Sequence, residues 1–105
     1  MNKGDVVLVS YPFTNLSGSK FRPAIVLYET ASDFTACFIT SQIERKDKTD
    51  IFIKASYSNG LKLDSLIRTS KIATIDKQLA KGILGSLEKS EVLELNSQLR
   101  ILLDI

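Results

Sequence analysis

The amino-acid sequence predicts a small, mainly β domain with one carboxyl-terminal helix, an α+β chain built as a barrel or a sandwich. Two observations predict it. Up to about residue 86, short β-branched and apolar runs alternate with turn-forming clusters at close intervals. After Ser90 the apolar spacing changes to three and four, the period of a helix face. The 105 residues form one domain, residues 1–105, with enough chain for a single modest core.

The elements follow in order. Asp5–Tyr11 (DVVLVSY) is a strand that Pro12 stops, and residues 14–20 (TNLSGSK) form a polar turn-rich loop. Ile25–Tyr28 and Phe34–Thr40 (FTACFIT) are the next strands, with a turn at Ala31-Ser32-Asp33. Glu44–Asp50 (ERKDKTD) reads as a solvated hairpin end, followed by a short strand over Ile51–Ile53. Tyr57-Ser58-Asn59-Gly60 is a turn, because Asn-Gly is favoured where two consecutive residues need positive φ. Ser65–Arg68 and Lys71–Ile75 are two strands or one bent strand. Asp76 caps a helical turn reaching Leu79-Ala80, and Gly82–Gly85 is extended. Ser90 is the expected N-cap of the final helix, in which Val92, Leu95, Leu99 and Leu102 share one face.

Composition excludes several chemistries. There is no histidine, which removes imidazole acid–base catalysis, His-based triads and His-containing zinc sites. The single Cys37 lies in an apolar strand, so a buried, inert thiol is expected, and a lone cysteine fits a reducing cytoplasm. The net charge of +2 says little about where charge gathers. No run approaches the ~20 apolar residues of a membrane span, so no membrane partner is expected.

Catalysis or binding must then rest on arginine, lysine, carboxylates, hydroxyls and amides. Arg22 offers a permanently charged planar fork suited to phosphate oxygens. Pro23 restricts its backbone to extended conformations, and Ser19 and Lys20 precede it in a loop that can add donors around the same anion. An exposed arginine opening a strand accounts for the same residues without any site. Thr40-Ser41-Gln42 ends an apolar strand at a rim, where a hydroxyl can donate to phosphate and Gln42 can read a base edge; a strand end that merely turns polar is the plain alternative. Arg68, Ser70 and Lys71 fall in a strand–turn–strand that can form a second wall for a polyanion. Tyr11, Phe13 and Phe21 flank the basic loop and can stack on unpaired bases, although an aromatic beside a strand is more often core.

The order of these segments resembles the PemK/MazF family of toxins from type II toxin–antitoxin modules. It runs Gly4-Asp5-Val6, the polar loop, Arg22-Pro23-Ala24, Ile39-Thr40-Ser41-Gln42-Ile43, Asp64-Ser65-Leu66-Ile67, then Thr74-Ile75-Asp76-Lys77. The resemblance implies an SH3-like β-barrel with an appended helix, a homodimer, and a cytoplasmic, metal-independent endoribonuclease that needs no cofactor. That enzyme would cut single-stranded RNA to 2′,3′-cyclic phosphate and 5′-hydroxyl ends. An acidic, partly disordered antitoxin segment would cover the RNA groove. Arg22 matches the family's cleavage-site arginine and Thr40 its threonine after the third strand. Three departures are evident: Ala73 stands where many relatives carry arginine, Ser70 stands where the plasmid branch has an aspartate after Arg68-Thr69, and the polar loop is shorter than in many members and lacks their glutamate-rich portion. Arginine is too weak a base to take the 2′-OH proton, so no general base is assigned. Two other readings fit the same barrel. One is a non-enzymatic CcdB-like gyrase poison using Leu103-Asp104-Ile105; the other is a decayed toxin that only dimerises and binds antitoxin.

Overall fold

The computed structural model describes residues 1–11 and 20–105. Residues 12–19, which include Phe13, Ser19 and the polar loop up to Lys20, lie outside the described residues. The elements are β1 (Asp5–Tyr11), β2 (Lys20–Glu29), β3 (Asp33–Thr40), a 3-10 turn (Ile43–Arg45), β4 (Ile51–Ile53), β5 (Ser65–Asp76), a second 3-10 turn (Lys77–Leu79), β6 (Ala80–Ser86) and α1 (Lys89–Leu103). The strands form one antiparallel sheet in the order β4-β5-β3-β2-β1-β6. The mainly β, α+β expectation is met.

Both faces of the central strands are buried, because the curved sheet encloses one cluster and carries another. Val6, Ile25, Cys37, Ile39, Ile51, Ile53 and Ile67 pack with Leu95 and Leu99 of α1. Val7, Val9, Ala24, Val26, Phe34, Ala36, Ile75 and Leu79 form the second cluster. Near-continuous apolar runs in β1 and β2 reflect this double burial. Helix α1 lays Leu95 and Leu99 into the first cluster, with Val92 and Leu102 beside them, which is the expected face.

Among the described residues the barrel-like sheet is not closed by strand pairing; a loop bridges its two edges. β4 and β6 are the edges, and the segment leaving β4 reaches across to β6, where Ser86 N–H donates to the Ser58 carbonyl at 2.9 Å. Asn59 shapes this segment: its carboxamide oxygen accepts from Ser56 N and Leu61 N, and its Nδ2 donates to the Lys54 carbonyl. Gly60 has φ +70°, whereas Asn59 is not in the left-handed region. The expected turn is present at residues 57–59, inside a loop over residues 54–64 in which only Gly60 of the Asn-Gly pair has positive φ, with Ile53 paired to Ser65.

Two expectations change. The helix N-cap is Glu88, not Ser90: Glu88 and Glu91 form a reciprocal capping box, Glu91 accepting from Glu88 N at 2.8 Å. The charged stretch Glu44–Asp50 is not uniformly solvated, because Asp50 is buried. Residues 65–76 are the single bent strand of the two alternatives, with a bulge. Asp76 does cap the turn after β5, accepting from Gln78 N.

Cys37 is buried, and burial pushes its thiol up to about 12. At about pH 8 only ~10⁻⁴ of it would be thiolate, and the thiolate is the reactive form. Native protein should therefore leave a disulfide reagent such as DTNB unreacted, with one thiol appearing on addition of denaturant. Prompt native labelling would place Cys37 outside the core.

Candidate functional site

The register of β2, β3 and β5 gathers the polar residues of three strands at one rim of the sheet. Ala24 faces Phe38 across β2–β3, and Phe38 faces Arg68 across β3–β5. Continuing the β2–β3 register by two residues sets Arg22 opposite Thr40. On the other side Arg22 pairs with Val9 of β1. Phe38, Ile39, Thr40, Arg22, Arg68, Ser70, Lys71 and Ile72 line a groove of about 530 Å³.

A bulge in β5 makes the groove's second wall. Cys37 pairs with Ile72 but Phe38 pairs with Arg68, so residues 69–71 oppose nothing on β3. Bulges re-aim side chains, and here Ser70 and Lys71 turn into the groove. Thr69 anchors the bulge: fully buried, its hydroxyl donates to the Thr49 carbonyl at 2.8 Å. Thr69→Val should cost about 1–2 kcal/mol, since it strands a part-buried carbonyl. Chemical denaturation of the two proteins measures this, and a smaller change would mean that water replaces the bond.

Arg68 sits between two carboxylates. Its Nη2 lies 2.6 Å from Asp47 Oδ2, and its Nε lies 3.6 Å from Asp50 Oδ2. The Asp50 side chain is fully buried while that of Asp47 is 66% exposed. Asp50 Oδ2 also accepts from Asp47 N at 2.9 Å, so the turn over residues 47–50 and Arg68 are one unit. Asp50 Oδ1 and Arg68 Nε have no hydrogen-bond partner among the described residues.

Thr40 has a set orientation. Its Oγ1 accepts from Gln42 N at 3.2 Å, which leaves the hydroxyl proton for another acceptor. Arg22, Thr40, Arg68, Ser70 and Lys71 thus line one groove. Others lie apart. Gln42 is exposed at the start of the 3-10 turn and does not line the groove. Lys20 is exposed at the head of β2, opposite Tyr11. Phe21 alternates with Arg22 along β2 and so belongs to the other face, where Lys81 Nζ is 5.7 Å from its ring. Ala73 packs against the second cluster rather than lining the groove. Asp47 and Asp50 were missed. Their signal, two carboxylates three apart in a turn-forming run, looks like any solvated loop until Arg68 is placed beside it.

No curated protein of known function matches the chain. Solved structures do. The chain is similar to a Mycobacterium tuberculosis toxin, MazF-mt6, at 21% identity and TM-score 0.75, with 95% of this chain and 97% of that one covered. It is similar to MazF in a MazE–MazF structure from Deinococcus radiodurans at 17% identity and TM-score 0.77, covering 100% and 96%. It also resembles an endoribonuclease in complex with its cognate antitoxin from a mycobacterial species, at 18% identity and TM-score 0.77, again covering 100% and 96%. At these identities the likeness carries the fold. The family model for PemK-like, MazF-like toxins of type II toxin–antitoxin systems matches residues 2–103. Nearly the whole chain, from β1 to the end of α1, follows that pattern, and the protein belongs to this toxin family.

Proposed function

We propose that the protein is the toxin of a type II toxin–antitoxin module and acts as a metal-independent endoribonuclease on single-stranded RNA. One observation carries the reading: Arg22, Thr40, Ser70 and Lys71 line one open groove on three adjacent strands. A guanidinium, an ammonium and two hydroxyls suit a phosphodiester, and the open shape admits a strand whose bases are unpaired.

In the reaction the ribose 2′-OH gives up its proton, the O2′–P bond forms, the P–O5′ bond breaks, and O5′ takes a proton. Negative charge grows on the non-bridging oxygens. Donors already in place there lower the barrier because they need no reorganisation. Arg22 supplies a charged fork to those oxygens, and the Thr40 hydroxyl, oriented by Gln42 N, holds the phosphate. Lys71 adds a second cation. The products are a 2′,3′-cyclic phosphate and a 5′-hydroxyl end.

The partners follow from the same reading. Exposed Phe52 on edge strand β4, and Ile83 and Leu84 on edge β6, leave apolar surface for a second copy. An acidic antitoxin segment would lie along the cationic groove, and the compartment would be the cytoplasm. No helix is long and apolar enough to cross a membrane among the described residues. The gyrase-poison alternative would use Leu103, Asp104 and Ile105, which are exposed at the end of α1.

The test is incubation of the purified protein with a long single-stranded RNA in EDTA, followed by mapping of the new ends. Discrete cuts with 5′-hydroxyl ends are expected. Intact RNA across varied sequences would overturn the reading and turn attention to gyrase.

A further inference from the structure

We propose that the turn carrying Arg45, Lys46 and Lys48 extends the groove and binds RNA phosphates that lie beyond the cleavage site. This rests on the ribonuclease reading above. In sequence the run is neutral in sum, with Arg45, Lys46 and Lys48 standing against Glu44, Asp47 and Asp50. Folding separates the two signs. Asp50 is buried with Oδ2 3.6 Å from Arg68 Nε, and Asp47 Oδ2 lies 2.6 Å from Arg68 Nη2. Two of the three carboxylates are therefore engaged by an arginine from outside the run. Arg45, Lys46 and Lys48 are exposed and make no ion pair among the described residues. Counting Arg68, the unit holds four cations against three carboxylates, and Glu44 alone is left to offset the exposed three.

The place of the turn follows from register. The groove crosses β2, β3 and β5, and β4 is the next strand outward. Ile51, the first residue of β4, pairs with Ile67, so residues 47–50 stand beside Arg68 on the β5 side of the groove. Lys46 and Lys48 are each one residue, about 3.8 Å between Cα atoms, from Asp47. An RNA strand crossing from Arg22 to Arg68 therefore continues onto these side chains. Exposed cations of this kind hold phosphates and carry no base preference of their own. The turn is also fastened before any ligand arrives, by Asp50 Oδ2 to Asp47 N and by the Thr69 hydroxyl to the Thr49 carbonyl. A pre-ordered turn loses less on binding than a free one. An acidic protein segment could meet the same charges. RNA is favoured because the turn is joined to Arg68 and Thr69, the strand that forms the groove's own wall.

The test is fluorescence anisotropy with 2′-O-methyl RNA of one mixed sequence, about 5 and about 15 nucleotides long, over a range of salt. Such RNA lacks the attacking hydroxyl and is not cut. The variant combines Arg45→Gln, Lys46→Gln and Lys48→Gln. On the longer RNA it should flatten the slope of log K against log salt by about 2, at ~0.7 per phosphate contact on a single strand. Its affinity there should fall about 10- to 100-fold at ~0.1 M salt. On the shorter RNA, which fills the groove alone, it should match wild type within about twofold. In cleavage of long RNA the variant should raise KM and keep kcat, the mark of binding shared equally by ground and transition states. A control combining Lys54→Gln, Lys62→Gln and Lys89→Gln removes the same charge from the 54–64 loop and the start of α1, and should keep the wild-type slope. Melting curves check that both variants keep the fold. A wild-type slope in the turn variant overturns the inference. So does a loss equal for the two lengths, or equal in the control, which would make the turn part of a general field. If wild type binds neither RNA, the ribonuclease reading fails and the inference with it. If wild type binds and cuts RNA while the turn variant keeps its slope, only the inference falls.

Discussion

Arg22→Ala should lower RNA cleavage by about 10²–10³-fold in kcat/KM, the loss seen when one preorganised donor to a developing oxyanion is removed. The effect should fall on kcat more than on KM, because phosphorane charge exceeds ground-state charge on the same oxygens. Arg22→Lys keeps the charge but not the planar fork, so it should recover only part of the loss. The measurement is initial rate on a defined single-stranded RNA together with a melting curve. Growth after induction gives an independent readout. Wild type should arrest cells and Arg22→Ala should not. Equal harmlessness of the two would favour the decayed toxin, and equal toxicity would favour a gyrase poison.

Much of this site was legible in the chain because it is carried by strand ends. An apolar run that closes on Thr40, or opens after Arg22-Pro23, marks the point where a strand leaves the core, and polar side chains there must face a rim. What the sequence could not supply was register. Arg22 comes opposite Thr40 only because Ala24 pairs with Phe38. Likewise Ser70 and Lys71 enter the groove because three residues of β5 are left unopposed. Phe21 shows the opposite case: adjacent to Arg22 in sequence, it is separated from it by the alternation of β2, since period two outweighs proximity. Asp50 illustrates a different failure. In ERKDKTD every residue looks solvated, and only the tertiary placement of Arg68 explains the burial of this carboxylate. The helix face was readable from spacing, whereas its cap was not, because Glu88 is a less usual N-cap than Ser90 and works here through its exchange with Glu91.

The seam between β4 and β6 yields the largest expected change in stability. Gly85→Ala should destabilise the domain by about 3 kcal/mol or more, above the 1–3 kcal/mol typical of overpacking, because the new Cβ meets backbone. It would collide with the Ser58 carbonyl and crowd the Asn59 backbone, neither of which can change rotamer. Relief requires the loop to retreat, which breaks the Ser86 N–H bond to the Ser58 carbonyl and disturbs fully buried Asn59, whose carboxamide organises the loop. Gly60→Ala strikes the same seam from the other side. Its Cβ would meet the Leu84 carbonyl, and its φ of +70° adds strain for any L side chain. For a domain of this size ~3 kcal/mol corresponds to a fall in Tm of roughly 10–20 °C. The two substitutions press on one contact, so the double variant should lose less than the sum of the singles. Additive losses would mean that the loop and β6 yield independently, and that the barrel does not depend on this bridge for closure.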